Sequence, residues 1–217
     1  MRNVGRLHVV TDAALPGSPG HREIARMAIA GGADVVQFRE KRVITTRELI
    51  EEVRALLRLA CRACVKTIVN DRVDVALAGD AQGVHVGSDD FPVSVARRLL
   101  GPDRIIGASA RSVEEAQEAA WAGADYLGVG DVFGTSSKPD AGPVLGIEGL
   151  RRIVAAVEIP VIAIGGIGAE HVEPILAAGA HGIAVLSAVA LADDPEAVTR
   201  DLRARMEQVL AARLLSW

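Results

Sequence analysis

The sequence predicts a single (β/α)8 TIM barrel spanning residues 1–217. Three observations lead there. Short apolar runs alternate eight times with helical patterns, and most of them are continuously apolar, as in strands buried on both faces of a parallel sheet. A weak repeat precedes the second, fourth, sixth and eighth runs: Gly31-Gly32-Ala33-Asp34, Gly79-Asp80-Ala81-Gln82, Ala122-Gly123-Ala124-Asp125 and Ala178-Gly179-Ala180-His181. In each, a glycine can end a helix and free the chain to turn into the next strand. Finally, 217 residues is a length that one such barrel can use as one domain.

Leu7–Thr11 is a short β run closing at Asp12, and Pro16–Gly20 loops into a helical pattern over Glu23–Ala30. The second strand opens at Val35 and empties into the polar stretch Gln37-Phe38-Arg39-Glu40-Lys41. A long helix from about Thr46 to Cys64 carries Leu49, Ile50, Val53, Leu56, Leu57 and Ala60 at helical spacing. Lys66–Val69 is strand three, followed by a short helix at Val73–Ala78, strand Gly83–Val86 and helix Pro92–Leu100, with Pro92 suited to a first helical position. Ile105–Ala108 is strand five, and Ser112 with Glu115 makes a capping box for a helix running to about Ala122. Tyr126–Val129, Gly149–Val157, Val161–Ile164, Glu170–Ala178, Ile183–Leu186 and Pro195–Leu210 complete the alternation. A doubly wound open sheet would need a Gly-rich dinucleotide turn after strand one, and Asp12-Ala13-Ala14-Leu15-Pro16 offers none.

Composition narrows the function. Hydrophobic residues make up 50% of the chain, enough to fill a large core. A net charge of −4 and 3% aromatic content supply neither a basic field nor stacking platforms, which excludes nucleic acid as the expected partner. Met1–Asp12 has no long apolar run of the kind that directs secretion, so a cytoplasmic location is expected. Pro174–Ala192 is uncharged and about long enough to span a membrane, but Gly179-Ala180-His181-Gly182 breaks it into a helix end and a new strand. Cys61 and Cys64 form a CxxC without a second pair or a nearby His, and read as packed helix residues.

In such barrels the active site is built from the loops after the strands, and the residues there are polar. Gln37, Arg39 and Lys41 are two apart, so a continuing strand points all three the same way. A fork donor, a mobile cation and an amide suit a pyrophosphate or phosphorylated substrate. The alternative is a salt-bridge cluster around Glu40 at a helix start. Asn70 and Asp71 follow strand three, Asp90 follows strand four and Ser109 strand five. Asp71 and Asp90 would sit on neighbouring strands about 4.8 Å apart, close enough to share Mg²⁺, unless each merely serves a helix start. The long loop Gly130–Gly146 contains Thr135, Ser136, Ser137 and Lys138. Gly165-Gly166-Ile167-Gly168 and Ser187 match the backbone phosphate site of barrels, with ordinary turn glycines and an N-capping serine as the other reading.

Val36-Gln37-Phe38-Arg39-Glu40-Lys41, Val69–Ala78, Gly83-Val84-His85-Val86-Gly87, Gly123-Ala124-Asp125-Tyr126, Thr135–Lys138 and Ile164-Gly165-Gly166-Ile167 together resemble the thiamine-phosphate synthase family over nearly the whole chain. The resemblance implies a (β/α)8 barrel that joins hydroxymethylpyrimidine pyrophosphate to thiazole phosphate, or its carboxylated precursor, and releases pyrophosphate with Mg²⁺. It implies that Gln37, Arg39, Lys41, Asn70, Ser109, Thr135, Ser137 and Lys138 bind the pyrimidine substrate or close over it, with Ser109 and Lys138 catalytic. Asp71 and Asp90 would ligate Mg²⁺, and Gly166, Leu186 and Ser187 would hold the thiazole phosphate. Both substrates are small molecules, and assembly as a homo-oligomer stays open. The chain departs from the family at Ser88, where glutamine is usual, at Asp131 and Gly134, where prolines are usual, and at Ser137, where threonine is common. In a synthase Asp131 is expected to be a bystander. In the related thiazole tautomerases, which share the barrel, it would be the proton carrier, and a ligand sensor without turnover is a third alternative.

Overall fold

A computed structural model describes residues 2–135, 137 and 142–215. Eight parallel strands close into a barrel in chain order: β1 (Leu7–Asp12), β2 (Val35–Arg39), β3 (Lys66–Asn70), β4 (Gly83–Val86), β5 (Ile105–Ala110), β6 (Tyr126–Val129), β7 (Val161–Ile164) and β8 (Gly182–Val185). Around them run α1 (His21–Ala30), α2 (Thr46–Cys61), α3 (Val73–Gly79), α4 (Val93–Leu100), α5 (Val113–Trp121), α6 (Gly146–Ala156), α7 (Val172–Ala177), α8 (Ser187–Ala190) and α9 (Pro195–Leu215), with one 3₁₀ turn at Ala169–His171.

The continuous apolar runs serve two cores at once. Val9, Val36, Phe38, Val69, Val84, Ile106, Leu127, Ala163 and Ile183 pack outward against helix residues such as Ile24, Val53, Leu56, Leu150 and Ile175. The alternate residues Val35, Ile68, Ile105, Tyr126, Ile162 and Ala184 meet inside the barrel, joined by Val4 from the segment ahead of β1. Each fully buried Leu, Ile or Phe contributes roughly 1.5–3 kcal/mol of transfer free energy, so two-sided burial drives closure of the sheet.

The repeat ahead of every second strand has a physical basis. Its second residue takes the left-handed conformation at Gly32 (φ 94°), Asp80 (φ 63°), Gly123 (φ 98°) and Gly179 (φ 94°). Three of its last residues secure the strand before. Asp34 accepts the N–H groups of Arg6 at 2.8 Å and Leu7 at 2.9 Å, Gln82 that of Thr67 at 2.7 Å, and Asp125 that of Ile106 at 2.8 Å. His181 contributes its backbone N–H to Val161 O at 2.8 Å.

Several boundaries differ from those expected. α2 ends at Cys61, because its buried stripe stops at Ala60 and the chain then turns through Cys64 (φ 56°) to deliver Val65 to β3. Cys61 and Cys64 are both exposed, so the expectation that they are packed helix residues fails. The sixth helix begins at Gly146 rather than Gly149, and the seventh is split between the 3₁₀ turn and α7. Pro174 and Ala192 bracket a helix, a strand and another helix, and among the described residues no helix is long and apolar enough to cross a membrane.

Candidate functional site

A cavity of about 670 Å³ opens at the C-terminal end of the strands. Every site residue expected from the sequence lines it except Lys138, which, like Ser136, lies outside the described residues. The alternation of β2 carries past its end. Gln37, Arg39 and Lys41 face the cavity, while Glu40 between them points backward to His21 at 3.1 Å and to Arg42. The salt-bridge cluster around Glu40 is thus present, ahead of α2 and not at its start, and it occupies the side of the chain away from the three cavity-facing residues. Gln37 Nε2 donates to Asn70 Oδ1 at 3.1 Å on the neighbouring strand. Arg39 pairs with Asp12, its register partner on β1, which is buried.

Lys41 Nζ lies 2.6 Å from Asp71 Oδ2. Asp71 adopts φ 65° directly after β3, and the N-cap of α3 is Arg72, which makes no side-chain capping bond, so Asp71 is not its cap. Asp90 accepts the Gly87 N–H at 2.8 Å, and Pro92 stands at the N-cap of α4. Burial raises the Asp90 pKa, the Gly87 N–H opposes the rise, and the adjacent Asp71 carboxylate adds to it. Two crowded carboxylates relieved by one cation are a fit for Mg²⁺, which takes one or two carboxylates and completes its octahedron with water and phosphate oxygens. Among the described residues no cluster of three or more His, Cys, Asp or Glu side chains could hold a metal, so the remaining ligands would come from substrate and water.

Beneath these groups runs a polar chain that sequence reasoning missed. Ser109 Oγ is 3.1 Å from His85 Nε2, and His85 Nδ1 is 3.1 Å from Tyr126 Oη. Burial pushes the Tyr126 hydroxyl pKa up, so it stays protonated, and the directions of the two bonds follow the tautomer of His85. Glycines make the room: a Cβ on Gly107 would stand 2.2 Å from Tyr126 Cζ, and one on Gly128 2.7 Å from His85 Cε1. Below them His8 bonds to Val4 O at 2.9 Å, and burial lowers its pKa to about 4. The available signal was a histidine inside an apolar strand, with glycines at inward positions one and two strands away.

Across the mouth, the loop after β6 is fastened to the one after β7. Val132 N–H donates to Ile164 O at 3.0 Å and Phe133 N–H to Gly165 O at 3.1 Å. The Phe133 ring stacks on His171 with centroids 3.9 Å apart, and His171 Nδ1 accepts the Gly168 N–H at 3.0 Å. Gly166 (φ 62°) is pressed against this loop, since a Cβ there would lie 2.2 Å from Gly134 O. Asp131 is buried and accepts the N–H groups of Gly134 at 3.0 Å and Thr135 at 2.6 Å, and Thr135 Oγ1 in turn accepts the Ser137 N–H at 3.1 Å. Asp131 thus ties down the backbone of the hydroxyl-bearing segment, whatever its part in turnover. Gly134 can take part because it has an N–H, which a proline lacks.

The family model described as thiamine monophosphate synthase matches residues 7–189. The chain is similar to a thiamine-phosphate synthase of Chloroflexus aurantiacus, at 55% identity over 92% of this chain and 91% of the other. It is similar to one of Moorella thermoacetica at 50% identity over 91% and 93% of the two chains. The solved thiamine phosphate pyrophosphorylase of Pyrococcus furiosus superposes with a TM-score of 0.87 at 46% identity, covering 94% of this chain and 96% of that one.

Proposed function

The chain belongs to the thiamine monophosphate synthase family, and from that premise we propose how its barrel mouth performs the synthase reaction. It is a transferase of thiamine biosynthesis, which condenses hydroxymethylpyrimidine pyrophosphate with thiazole phosphate to thiamine phosphate and releases pyrophosphate.

In our reading, Arg39, Lys41 and Asn70 take the pyrophosphate, and Thr135, Ser137 and Lys138 close over it. The crowding of Asp71 against Asp90 supports a cation held between them. Mg²⁺ bound there would add positive charge beside the departing oxygens. The pyrimidine C–O bond breaks with its electron pair leaving on pyrophosphate, and the resulting benzylic-type cation is attacked by the thiazole nitrogen. Fixed charges aimed at the leaving group lower that barrier because they need no reorganisation as charge develops. Gln37 and Ser109, the latter oriented by His85, would seat the pyrimidine. Gly166, Leu186 and Ser187 would hold the thiazole phosphate, so that the nucleophile waits on the opposite side of the same cavity. No general base is needed, in keeping with an Asp131 whose two oxygens already accept backbone N–H groups. The same reading has the chain act in the cytoplasm on small molecules, with no nucleic acid, alone or as a homo-oligomer.

The observation that carries the proposal is the Lys41–Asp71 pair beside Asp90 at one end of the cavity that Gly166 and Ser187 close at the other. Asp71→Asn and Asp90→Asn keep size and remove charge. Each should reduce pyrophosphate release at limiting Mg²⁺ by ~10²-fold or more while leaving the fold intact by circular dichroism. Normal turnover by either variant would remove that residue from the metal site.

A further inference from the structure

Three buried polar side chains near the mouth of the barrel have no part in the mechanism above. Thr11 Oγ1 is 2.8 Å from His21 Nδ1, His21 Nε2 is 3.1 Å from Glu40 Oε2, and Glu40 has a side chain only 1% exposed. His21 is the first residue of α1, lies 4% exposed, and its ring packs against Phe38 with centroids 4.5 Å apart. On the far side of the carboxylate, Arg42 contributes its backbone N–H at 2.7 Å and its guanidinium. Glu40 is therefore gripped from α1 and from the loop beyond it.

The position of Glu40 in the chain gives this grip a consequence. β2 ends at Arg39, so Glu40 and Lys41 no longer have a strand ladder to hold them. Consecutive side chains of an extended chain point to opposite sides, and Arg39 and Lys41 are the neighbours of Glu40 on either hand. A backbone fixed through Glu40 leaves both cations facing the cavity at a set spacing.

Burial of the imidazole lowers its pKa despite the carboxylate beside it, so His21 is neutral at pH 7. One tautomer serves both of its close partners: Nε2–H donates to Glu40, and the Thr11 hydroxyl donates to Nδ1 at 2.8 Å in preference to Gln37 O at 3.4 Å. A neutral imidazole with one fixed tautomer is a rigid strut between β1 and the end of β2.

We propose that His21 is a positioning residue for the anion site, which through Glu40 pins the chain between Arg39 and Lys41 and so sets the affinity for pyrophosphate without touching it. The inference rests on the reading that Arg39 and Lys41 bind the pyrophosphate. It predicts an effect specific to one of the two substrates, which general loosening of the barrel would not produce.

The test compares KM values for the two substrates in full-length variants. His21→Leu keeps bulk and removes both hydrogen bonds. It should raise KM for the pyrimidine pyrophosphate ~10-fold and leave that for the thiazole phosphate within about twofold, because misplaced charges lose binding while the distant phosphate site is undisturbed. His21→Gln, whose amide can still donate to Glu40, should recover most of the loss. Should His21→Leu not fold, Glu40→Gln, which weakens the grip of Arg42 at constant size, is read in the same way. Unchanged KM values, or equal rises for both substrates, would overturn the proposal. Arg39→Ala and Lys41→Ala, measured alongside, separate the two ideas. If these raise KM for the pyrimidine pyrophosphate and His21→Leu does not, the strut alone fails; if they leave it unchanged, the anion site itself has been misread.

Discussion

Lys41 Nζ and Asp71 Oδ2 stand 2.6 Å apart at the open end of the barrel, and under the proposed function the pair would join an anion half of the site to a cation half. Under the proposed function Asp71 would hold the metal and Lys41 the pyrophosphate, so the pair would separate. Lys41 would then compete with the cation before substrate arrives. Lys41→Ala is expected to bind Mg²⁺ or Mn²⁺ more tightly by calorimetry in the absence of substrate, and yet to show a raised KM for the pyrimidine pyrophosphate. Weaker metal binding by that variant would mean that Lys41 supports the cation site and does not compete for it.

Asp131 gives a second prediction. Asparagine at that position keeps one acceptor oxygen and turns an amide donor toward the other backbone N–H, leaving a buried donor unmatched at a cost of about 1–3 kcal/mol. The segment from Gly134 to Ser137 should lose its shape. Asp131→Asn is expected to lower kcat/KM ~10-fold, and Asp131→Ala by more, with Tm falling by roughly 2–4 °C for each kcal/mol lost. A change within twofold for both would return Asp131 to the role of bystander.

The thiazole phosphate side is best probed at Ser187. A substitution at Gly166 would press on Gly134 O as well as on any phosphate, and so would disturb both substrates together. Ser187→Ala removes a hydroxyl without adding bulk. Hydrogen bonds to charged groups contribute about 1.5–3 kcal/mol, so KM for the thiazole phosphate should rise ~10-fold or more with that for the pyrimidine pyrophosphate unchanged. Equal effects on both would show that the loop after β8 holds something else.

Stability should respond to pH through His8. Burial depresses its pKa from 6.5 to about 4, so between those values the unfolded chain binds more protons than the folded one. The stabilisation is complete above pH 6.5 and is lost as pH falls toward 4. Denaturant midpoints of the wild type should drop across that window. His8→Leu should be less stable at pH 7, where Val4 O loses its donor, but should show a shallower slope, the remainder arising from His21 and His181, whose pKa values are also lowered. An unchanged slope would mean that His8 is not the group that titrates.

How far the sequence could be read follows from the range of each interaction. The eight strands were legible because two-sided burial leaves a continuous apolar run that needs no partner to be recognised, and the alternation of Arg39, Glu40 and Lys41 followed from the pleat alone. Pairings between strands were not. Asp12 meets Arg39 only because β1 and β2 are in that register, and Ser109 meets His85 only because β4 neighbours β5 and glycines clear the space. The contacts of Asp131 were hidden for a related reason. Its partners are backbone N–H groups, which leave no mark in the side chains of a sequence. At Cys61 and Cys64 helical spacing was extended past Ala60, where the buried stripe had already ended.

The central claim is that this barrel joins two substrates by expelling pyrophosphate at a site whose charge balance needs a divalent cation. The most direct measurement is pyrophosphate release by the wild-type protein with both substrates, with either one omitted, and with both in excess chelator. Rapid release, matched one for one by thiamine phosphate, is expected only when both substrates and Mg²⁺ are present. Full release in chelator, or thiazole turnover without the pyrimidine substrate, would contradict it.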